Sequence, residues 1–444
     1  MRYLPMLALL LAAPAPNAAI AQQKQTEAPN PERLKADVEK LVSFGTRHTL
    51  SSPDHPTRGI GASRKWAAEE LDRIGAKCGD CIKVARIGRT FTGPRAPNGV
   101  EVVNVLGFQR GEDPRRVVIV QGHIDNRVSD VMDSTSDAPG ANDDASGVAL
   151  VIEAARILSK QKHKATIVYA VLSGEEQGLW GGTLLAETAK ERGWTVTAVL
   201  NNDIVGNTLG QNGVRVADRV RVFSEGIRAS EALEDGIRRR GDGGEDDGPS
   251  RALAKAIDKV AGDMRQTDSG ALDVFVVRRP DRFGRGGDHE PFLRLGYPAV
   301  RFSVGAENWD QQHQNLRTEQ GRVYGDTVDK MDFPYLARVT AINIATIRRL
   351  ANAPAAPASV TLDGALSMDV KVKWSEVPGA RSYNVYWRRN DVQDWQEVRG
   401  VAGRTETLLK DKVVDDHFVG VSAVAADGSE SIVTFGTRAA PPPR

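Results

Sequence analysis

The chain has 444 residues, 40% hydrophobic and 26% charged, which suits a folded soluble protein and exceeds what one hydrophobic core usually organises, so two folded units are expected. A formal net charge of +1 without a basic run gives no electrostatic basis for nucleic acid or an anionic membrane as partner. The expected partner is a small or peptidic molecule.

Residues 1–21 begin with Arg2, run through apolar Leu4 to Ala13 and close on Ala19-Ile20-Ala21, the three-part layout of a cleaved secretory signal, with cleavage expected before Gln22. The apolar run is well short of the roughly 20 residues that span a bilayer. No later run is long enough either, so an exported protein without stable membrane insertion, periplasmic or extracellular, is expected.

Helical apolar spacing follows at 31–43 and at 59–75, the latter through Ile60, Trp66, Leu71 and Ile74. The only cysteines, Cys78 and Cys81, lie just beyond it and read as a short local disulfide of an oxidising compartment. A redox dithiol would open a helix rather than follow one, and a zinc knuckle would need a second pair.

Strand-like runs at 100–108, 116–121, 165–172, 196–202, 272–277 and 298–303 alternate with helical patterns near 146–160, 178–192, 249–263 and 333–352. This alternation predicts an α/β fold, a mainly parallel mixed sheet flanked by helices. Runs such as Val117-Val118-Ile119-Val120 are continuously apolar, as strands covered on both faces should be. The stretch 206–249, with Arg238-Arg239-Arg240 beside Gly- and Asp-rich sequence, breaks the rhythm and reads as a solvated surface excursion.

The divisions expected are a catalytic unit at 22–352, an Ala- and Pro-rich linker at 353–359 and a small β-sandwich at 360–438. The sandwich reading rests on alternating strands at Val370-Val372-Trp374, Tyr383-Val385-Trp387 and Phe418-Gly420-Ser422-Val424, with turns at Pro378-Gly379 and Asp427-Gly428. Through these residues it resembles a fibronectin type III module. Its aromatics are expected in the core, and a surface or polysaccharide is its candidate partner.

Polar clusters fall where the predicted strands end: Gly122-His123-Ile124-Asp125, Ser173-Gly174-Glu175-Glu176, Asp203, and a loop carrying His313. Ligands of open α/β sheets sit beyond the carboxyl ends of the strands, so these ends should converge on one crevice. Two imidazoles with several carboxylates suit zinc rather than calcium or magnesium. Asn142-Asp143-Asp144-Ala145-Ser146-Gly147 opens a helix that can hold a carboxylate over the crevice. Charge counting favours a pair of ions: two Zn2+ bring +4, while Asp143, Glu176, Asp203 and a bridging hydroxide return it to neutrality. Beside a metal-bound Glu176, Glu175 can serve as general base, and Asp125 can fix the His123 tautomer from behind.

With these motifs, with Gly174-Glu175-Glu176-Gln177-Gly178 and with Asn202-Asp203, residues 40–350 resemble the dinuclear-zinc aminopeptidases of the twenty-eighth metallopeptidase family. The resemblance implies that His123 and Asp203 serve one zinc, that Glu176 and His313 serve the other, and that Asp143, four residues before Gly147, bridges them. It also implies hydrolysis of amino-terminal peptide bonds by a metal-bridging hydroxide with Glu175 as base, on a peptide or aminoacyl substrate. Arg285-Gly286-Gly287-Asp288-His289 resembles the family's Ser-Asp-His element, with Gly287 in place of Ser, and makes Arg285, Asp288 and His289 candidates for the substrate pocket. The tyrosine that donates to the oxyanion in some members is missing here. His48 is expected to support a loop, and His163 and His417 to lie at the surface.

Of three rival readings the second stays open, while the complete ligand set with Glu175 disfavours the first and the last. A glutaminyl cyclase-like relative would use one zinc, a carboxypeptidase-like relative would need a cationic clamp such as Arg285, and a non-catalytic binder would dispense with Glu175 or a ligand.

Overall fold

The structure is a computed structural model that describes residues 27–439; the signal-sequence reading of residues 1–21 lies outside the described residues. Eight strands, β1 (Ile82–Gly93), β2 (Ala96–Gln109), β3 (Asp113–His123), β4 (Ala165–Leu172), β5 (Thr195–Asn202), β6 (Arg219–Phe223), β7 (Asp273–Val277) and β8 (Ala299–Val304), form one sheet. They lie side by side in the order β1-β2-β4-β3-β5-β8-β6-β7. The central run β4-β3-β5-β8 and the edge pair β6-β7 are parallel, whereas β1-β2, β2-β4 and β8-β6 are antiparallel. The sheet is therefore mixed with a parallel centre.

Period-two alternation explains why helices cover both faces. In β3, Val118 and Val120 join one core, while Val117 and Ile119 join the other. The same split divides Ile167, Tyr169 and Val171 of β4 from Val168, Ala170 and Leu172. The larger core takes side chains from α1 (Pro31–Val42), α2 (Gly59–Lys77), α3 (Ala145–Leu158), α7 (Pro249–Arg265) and α9 (Phe333–Asn352). The smaller takes them from α5 (Trp180–Glu191) and α8 (Glu290–Arg294). Two further helices, α4 (Glu175–Gly178) and α6 (Leu233–Asp242), lie in connections. Every residue of α3 except Arg156 is buried, which makes it the central helix of the fold.

Two readings are corrected. The stretch 206–249 is more than an excursion, because β6 pairs with both β7 and β8 and turns Val220 and Val222 into the core. His163 is buried, not at the surface; its Nε2 lies 3.1 Å from the Leu158 carbonyl, and burial lowers its pKa. His48 is buried too, accepting from Leu50 N with Nδ1 and facing the Val131 carbonyl with Nε2, so it ties two loops together. Cys78 and Cys81 are joined in a disulfide directly after α2.

Beyond the hairpin of β9 (Arg317–Glu319) and β10 (Arg322–Tyr324), α9 leads into eight short strands. These are β11 (Val360–Asp363), β12 (Val370–Trp374), β13 (Ser382–Arg389), β14 (Glu397–Ala402), β15 (Glu406–Leu409), β16 (His417–Val424), β17 (Thr434–Phe435) and β18 (Thr437–Arg438). They make two sheets, β15-β12-β11-β18 and β14-β13-β16-β17. A shared core holds Trp374 from one sheet against Tyr383 and Trp387 from the other. The Tyr383 hydroxyl accepts from Val377 N at 2.9 Å, so a buried ring keeps its polar end satisfied.

Candidate metal centre

Parallel register brings the strand ends together. His123, the last residue of β3, stands opposite Leu172, the last of β4, and Asn202 at the end of β5 stands opposite Phe302 of β8. After β4 the chain turns at Gly174, whose φ of 78° is open to glycine, and α4 begins with Glu175 and Glu176. After β5 comes Asp203. Non-glycine residues with positive φ cluster here: Leu179 (58°) after α4, Ile204 (60°) after Asp203, and His313 itself (53°). Such backbone costs of order 1–3 kcal/mol per residue and persists where surrounding contacts enforce it, typically at functional sites.

The loop before α3 supplies Asp143, and its two carboxylates take different roles. Asp144 is spent on the backbone, accepting from Gly147 N at 2.9 Å, His123 N at 3.0 Å and Ile204 N at 3.3 Å. It is the cap of α3 and a clamp on two strand ends. Asp143 faces the crevice instead. Its loop is held by Asp326, which accepts from Asn142 N at 2.9 Å and Asp143 N at 2.7 Å.

Two triads result. His123, Asp143 and Asp203 can bring one ligand atom each within 4.8 Å of one another, and so can Asp143, Glu176 and His313. Asp143 belongs to both: its Oδ1 lies 3.3 Å from His123 Nε2 and its Oδ2 lies 3.0 Å from His313 Nε2. His123 Nε2 is 3.8 Å from Asp203 Oδ1, and His313 Nε2 is 3.0 Å from Glu176 Oε1. All five residues expected from sequence converge on this point.

The donors fit cations rather than one another. His123 Nε2 and Glu176 Oε1 are buried without a hydrogen-bond partner among the described residues, although carboxylate and imidazole atoms stand close by. Burial favours neutral rings, yet the surrounding carboxylates, Glu175 foremost, outweigh it and hold the His123 pKa well above its ordinary value. His313 is pushed up to about 10, burial being overcome by Glu176 and Asp143. Such a site draws positive charge, and imidazole nitrogen with carboxylate oxygen is the donor chemistry of zinc.

Asp125 faces the His123 ring with its main chain and uses its carboxylate elsewhere. His123 Nδ1 lies 3.0 Å from the main-chain carbonyl of Asp125 and 3.8 Å from its carboxylate, so the carbonyl fixes the tautomer. The carboxylate accepts instead from Glu175 N at 3.3 Å, Glu176 N at 3.1 Å and the Thr49 hydroxyl at 2.8 Å. It orients the Glu-Glu turn because two unpaired N–H groups at the start of α4 need an acceptor.

Two arginines that the sequence reading passed over secure the outer edges. Arg127 Nε donates to Glu176 Oε2 at 3.0 Å with Nη2 2.6 Å from His313 Nδ1, and buried Arg301 pairs with Asp203 Oδ1 at 2.8 Å. Arg301 had a signal, a cation inside the apolar run Ala299-Val300-Arg301-Phe302; Asp326 had none.

A cavity of about 960 Å³ opens beside the triads, and Glu175 and Arg285 line it. Burial, then the nearby carboxylates, raise the Glu175 pKa well above its ordinary value despite His123. Asp288 and His289 lie behind the wall instead of lining it: Asp288 accepts from Gly182 N at 3.0 Å, and His289 Nε2 is 2.7 Å from the Pro280 carbonyl. At Gly287 a side chain would begin 3.0 Å from Arg301 Nη1, so the guanidinium fills that seat.

Residues 104–347 match peptidase family M28. A probable zinc metalloprotease of Leptosphaeria maculans is 42% identical over 432 residues, covering 96% of this chain and 98% of that protein. Among solved structures, an aminopeptidase from Aneurinibacillus sp. strain AM-1 (14% identical, TM-score 0.51) is matched over 73% of this chain and 95% of its own. A glutaminyl cyclase from Fimbriiglobus ruber (19% identical, TM-score 0.51) is matched over 73% and 96%, so the fold is common to both activities.

Proposed function

Since the chain belongs to peptidase family M28, we propose that it is a zinc-dependent aminopeptidase with two metal positions, exported from the cell. The observation that carries this reading is the sharing of Asp143, one oxygen toward each histidine, between two complete donor triads. A one-metal cyclase would have no use for the second triad. Two zinc ions held by His123, Asp143 and Asp203 and by Asp143, Glu176 and His313 would polarise a peptide carbonyl and acidify water beside it.

The remaining chemistry falls to the chain's own groups. The Asp125 carbonyl takes the Nδ1 proton of His123 in a hydrogen bond and leaves Nε2 free to ligate. Arg127 and Arg301 hold the Glu176 and Asp203 carboxylates at fixed angles. Glu175, at the cavity wall beside the triads, is the group placed for a proton relay: it removes a proton from the attacking water and returns it to the departing nitrogen.

We take residues 22–352 as the catalytic unit, 353–359 as a linker and 360–438 as a fibronectin type III-like module, a reading supported by the separate core around Trp374 and Tyr383. Export is supported by the leader layout together with the Cys78–Cys81 disulfide. The test is a panel of aminoacyl, amino-blocked and carboxyl-terminal substrates assayed after chelation with and without zinc. Cleavage of free aminoacyl substrates alone, restored by zinc, is expected. Cleavage of amino-blocked substrates at equal rates, or full activity in excess chelator, would sink the reading.

A further inference from the structure

We infer that the cavity beside the metal centre selects a substrate carboxylate, held by Arg95 and Arg285; this rests on the peptidase reading of the same site and names its substrate class. Few of the lining residues are large and apolar, namely Pro94, Leu179 and Trp309. Four arginines line it instead: Arg95, Arg127, Arg282 and Arg285.

Two of the four are committed. Arg127 spends Nε on Glu176 and Nη1 on the Val128 carbonyl, with Nη2 packed against the His313 ring, and Arg282 spends its donors on Asp281, Glu307 and the Gly286 carbonyl. The other two keep a free edge. Arg285 uses only Nη1, toward Glu307 Oε2 at 2.9 Å and Gln312 Oε1 at 3.1 Å. Arg95 uses only Nη1, on the Glu176 carbonyl. In both, Nε and Nη2 have no partner among the described residues, and these two N–H groups form the side-on fork that matches a carboxylate. Elsewhere in this chain Arg33 presents that same edge to Glu153, with Nε at 3.0 Å and Nη2 at 2.5 Å.

Charge balance points the same way. With Asp143, Glu176 and Asp203 committed to cations, the charged lining is four arginines against Glu175 and Glu290, and Glu290 is already paired with Arg294 at 2.9 Å. Behind the wall, Glu307 is shared by Arg221, Arg282 and Arg285, and Asp281 by Arg282 and Arg301, so two carboxylates face four guanidinium groups. An anion entering the cavity therefore meets a surplus of positive charge, strengthened by partial exclusion of water.

The carboxylate has two possible sources, the side chain of an acidic amino-terminal residue or the free carboxyl terminus of a short peptide. For the first, kcat/KM of the zinc-loaded full chain is compared on glutamyl and glutaminyl arylamides; for the second, on leucylglycine and leucylglycinamide. A preference of about 10- to 100-fold for the carboxylate-bearing member of one pair is expected, expressed mainly in KM. It should collapse toward unity in the double variant Arg95→Gln/Arg285→Gln. Ratios near one in the wild type, or a preference that survives in the double variant, overturn the inference while leaving the peptidase reading intact. If nothing is hydrolysed, the peptidase reading fails, and calorimetric titration of glutamate against glutamine, and of glycylglycine against its amide, decides the inference separately. Tighter binding of one carboxylate-bearing member, lost in the double variant, upholds it; equal binding within both pairs overturns it.

Discussion

Glu175 and Glu176 are consecutive residues on which the same burial acts with opposite results. Burial raises both pKa values, but His313 and Arg127 pull Glu176 below its ordinary value, whereas Glu175 stays well above. In the proposed mechanism Glu176 stays with the metal positions and Glu175 is the proton carrier. Glu175→Gln keeps the shape and removes the carrier, so kcat should fall by about 10²- to 10⁴-fold. Zinc content, measured by elemental analysis, should not change, and unaltered turnover would remove Glu175 from the mechanism. The donors were legible in the sequence because zinc chemistry restricts residue type and the strand ends restrict position. For Asp125 the sequence names the residue behind His123 but not the accepting atom, since only the coordinates distinguish its carbonyl at 3.0 Å from its carboxylate at 3.8 Å. Asp326 was illegible because its link to Asn142 and Asp143 spans more than 180 residues.

The start of α3 decides how well Asp143 is held. A Cβ at Gly147 would sit 2.2 Å from the Asn202 carbonyl and 2.4 Å from Asp144 Oδ2, and one at Gly122 would sit 2.7 Å from the Gly147 carbonyl carbon. Helix and strand ends therefore touch backbone to backbone. Gly147→Ala must push α3 away from β5, at a cost of about 1–3 kcal/mol or more, and should weaken zinc binding with it. Gly262→Ala in α7 is the contrast: its Cβ would meet only Arg265 Nη2 at 3.8 Å, and the substitution should stabilise by about 0.5–1 kcal/mol. Thermal melts and zinc titrations of the two variants check both signs. Among elements, β3, β4 and β5 were readable because strands buried on both faces are continuously apolar. In β6 the two core valines alternate with Arg219 and Arg221, and β1 carries Lys83, Arg86 and Arg89 on a largely exposed strand, so neither produced an apolar run.

The Ala- and Pro-rich run precedes the two small sheets that share a core of their own, but the contacts of that region with the rest of the chain were not legible, because the pairs are far apart in sequence. Arg388 meets Asp247 at 2.6 Å with both side chains buried, Arg349 pairs with Glu430, and Arg438 lies 3.2 Å from Asp242. Every residue lining the metal-side cavity falls between Pro94 and Gln314. Deleting residues 355–444 should therefore leave kcat/KM on small substrates within a few-fold while lowering the melting temperature, since Asp247 would lose Arg388 and keep only Lys255 at 2.8 Å. A truncated chain that folds but is inactive would show that the second unit belongs to the site. The same interface holds a strained pair of like charges. Asp258 of α7 and Asp394 of the second unit line one cavity, and burial, then Asp394, push the Asp258 pKa up to about 6 from 3.8. A carboxyl that holds its proton more tightly when folded contributes its full stability below the unfolded value, and that contribution is lost as pH rises through about 6. Asp258→Asn should accordingly flatten the stability profile between about pH 4 and 6. Above pH 7 it should stabilise by about 1 kcal/mol, a figure reduced from the full shift because the side chain still sees solvent. Denaturant melts at pH 5 and 7.5 measure the difference; equal gains at both pH values would mean that packing, and not the charge of Asp258, is responsible.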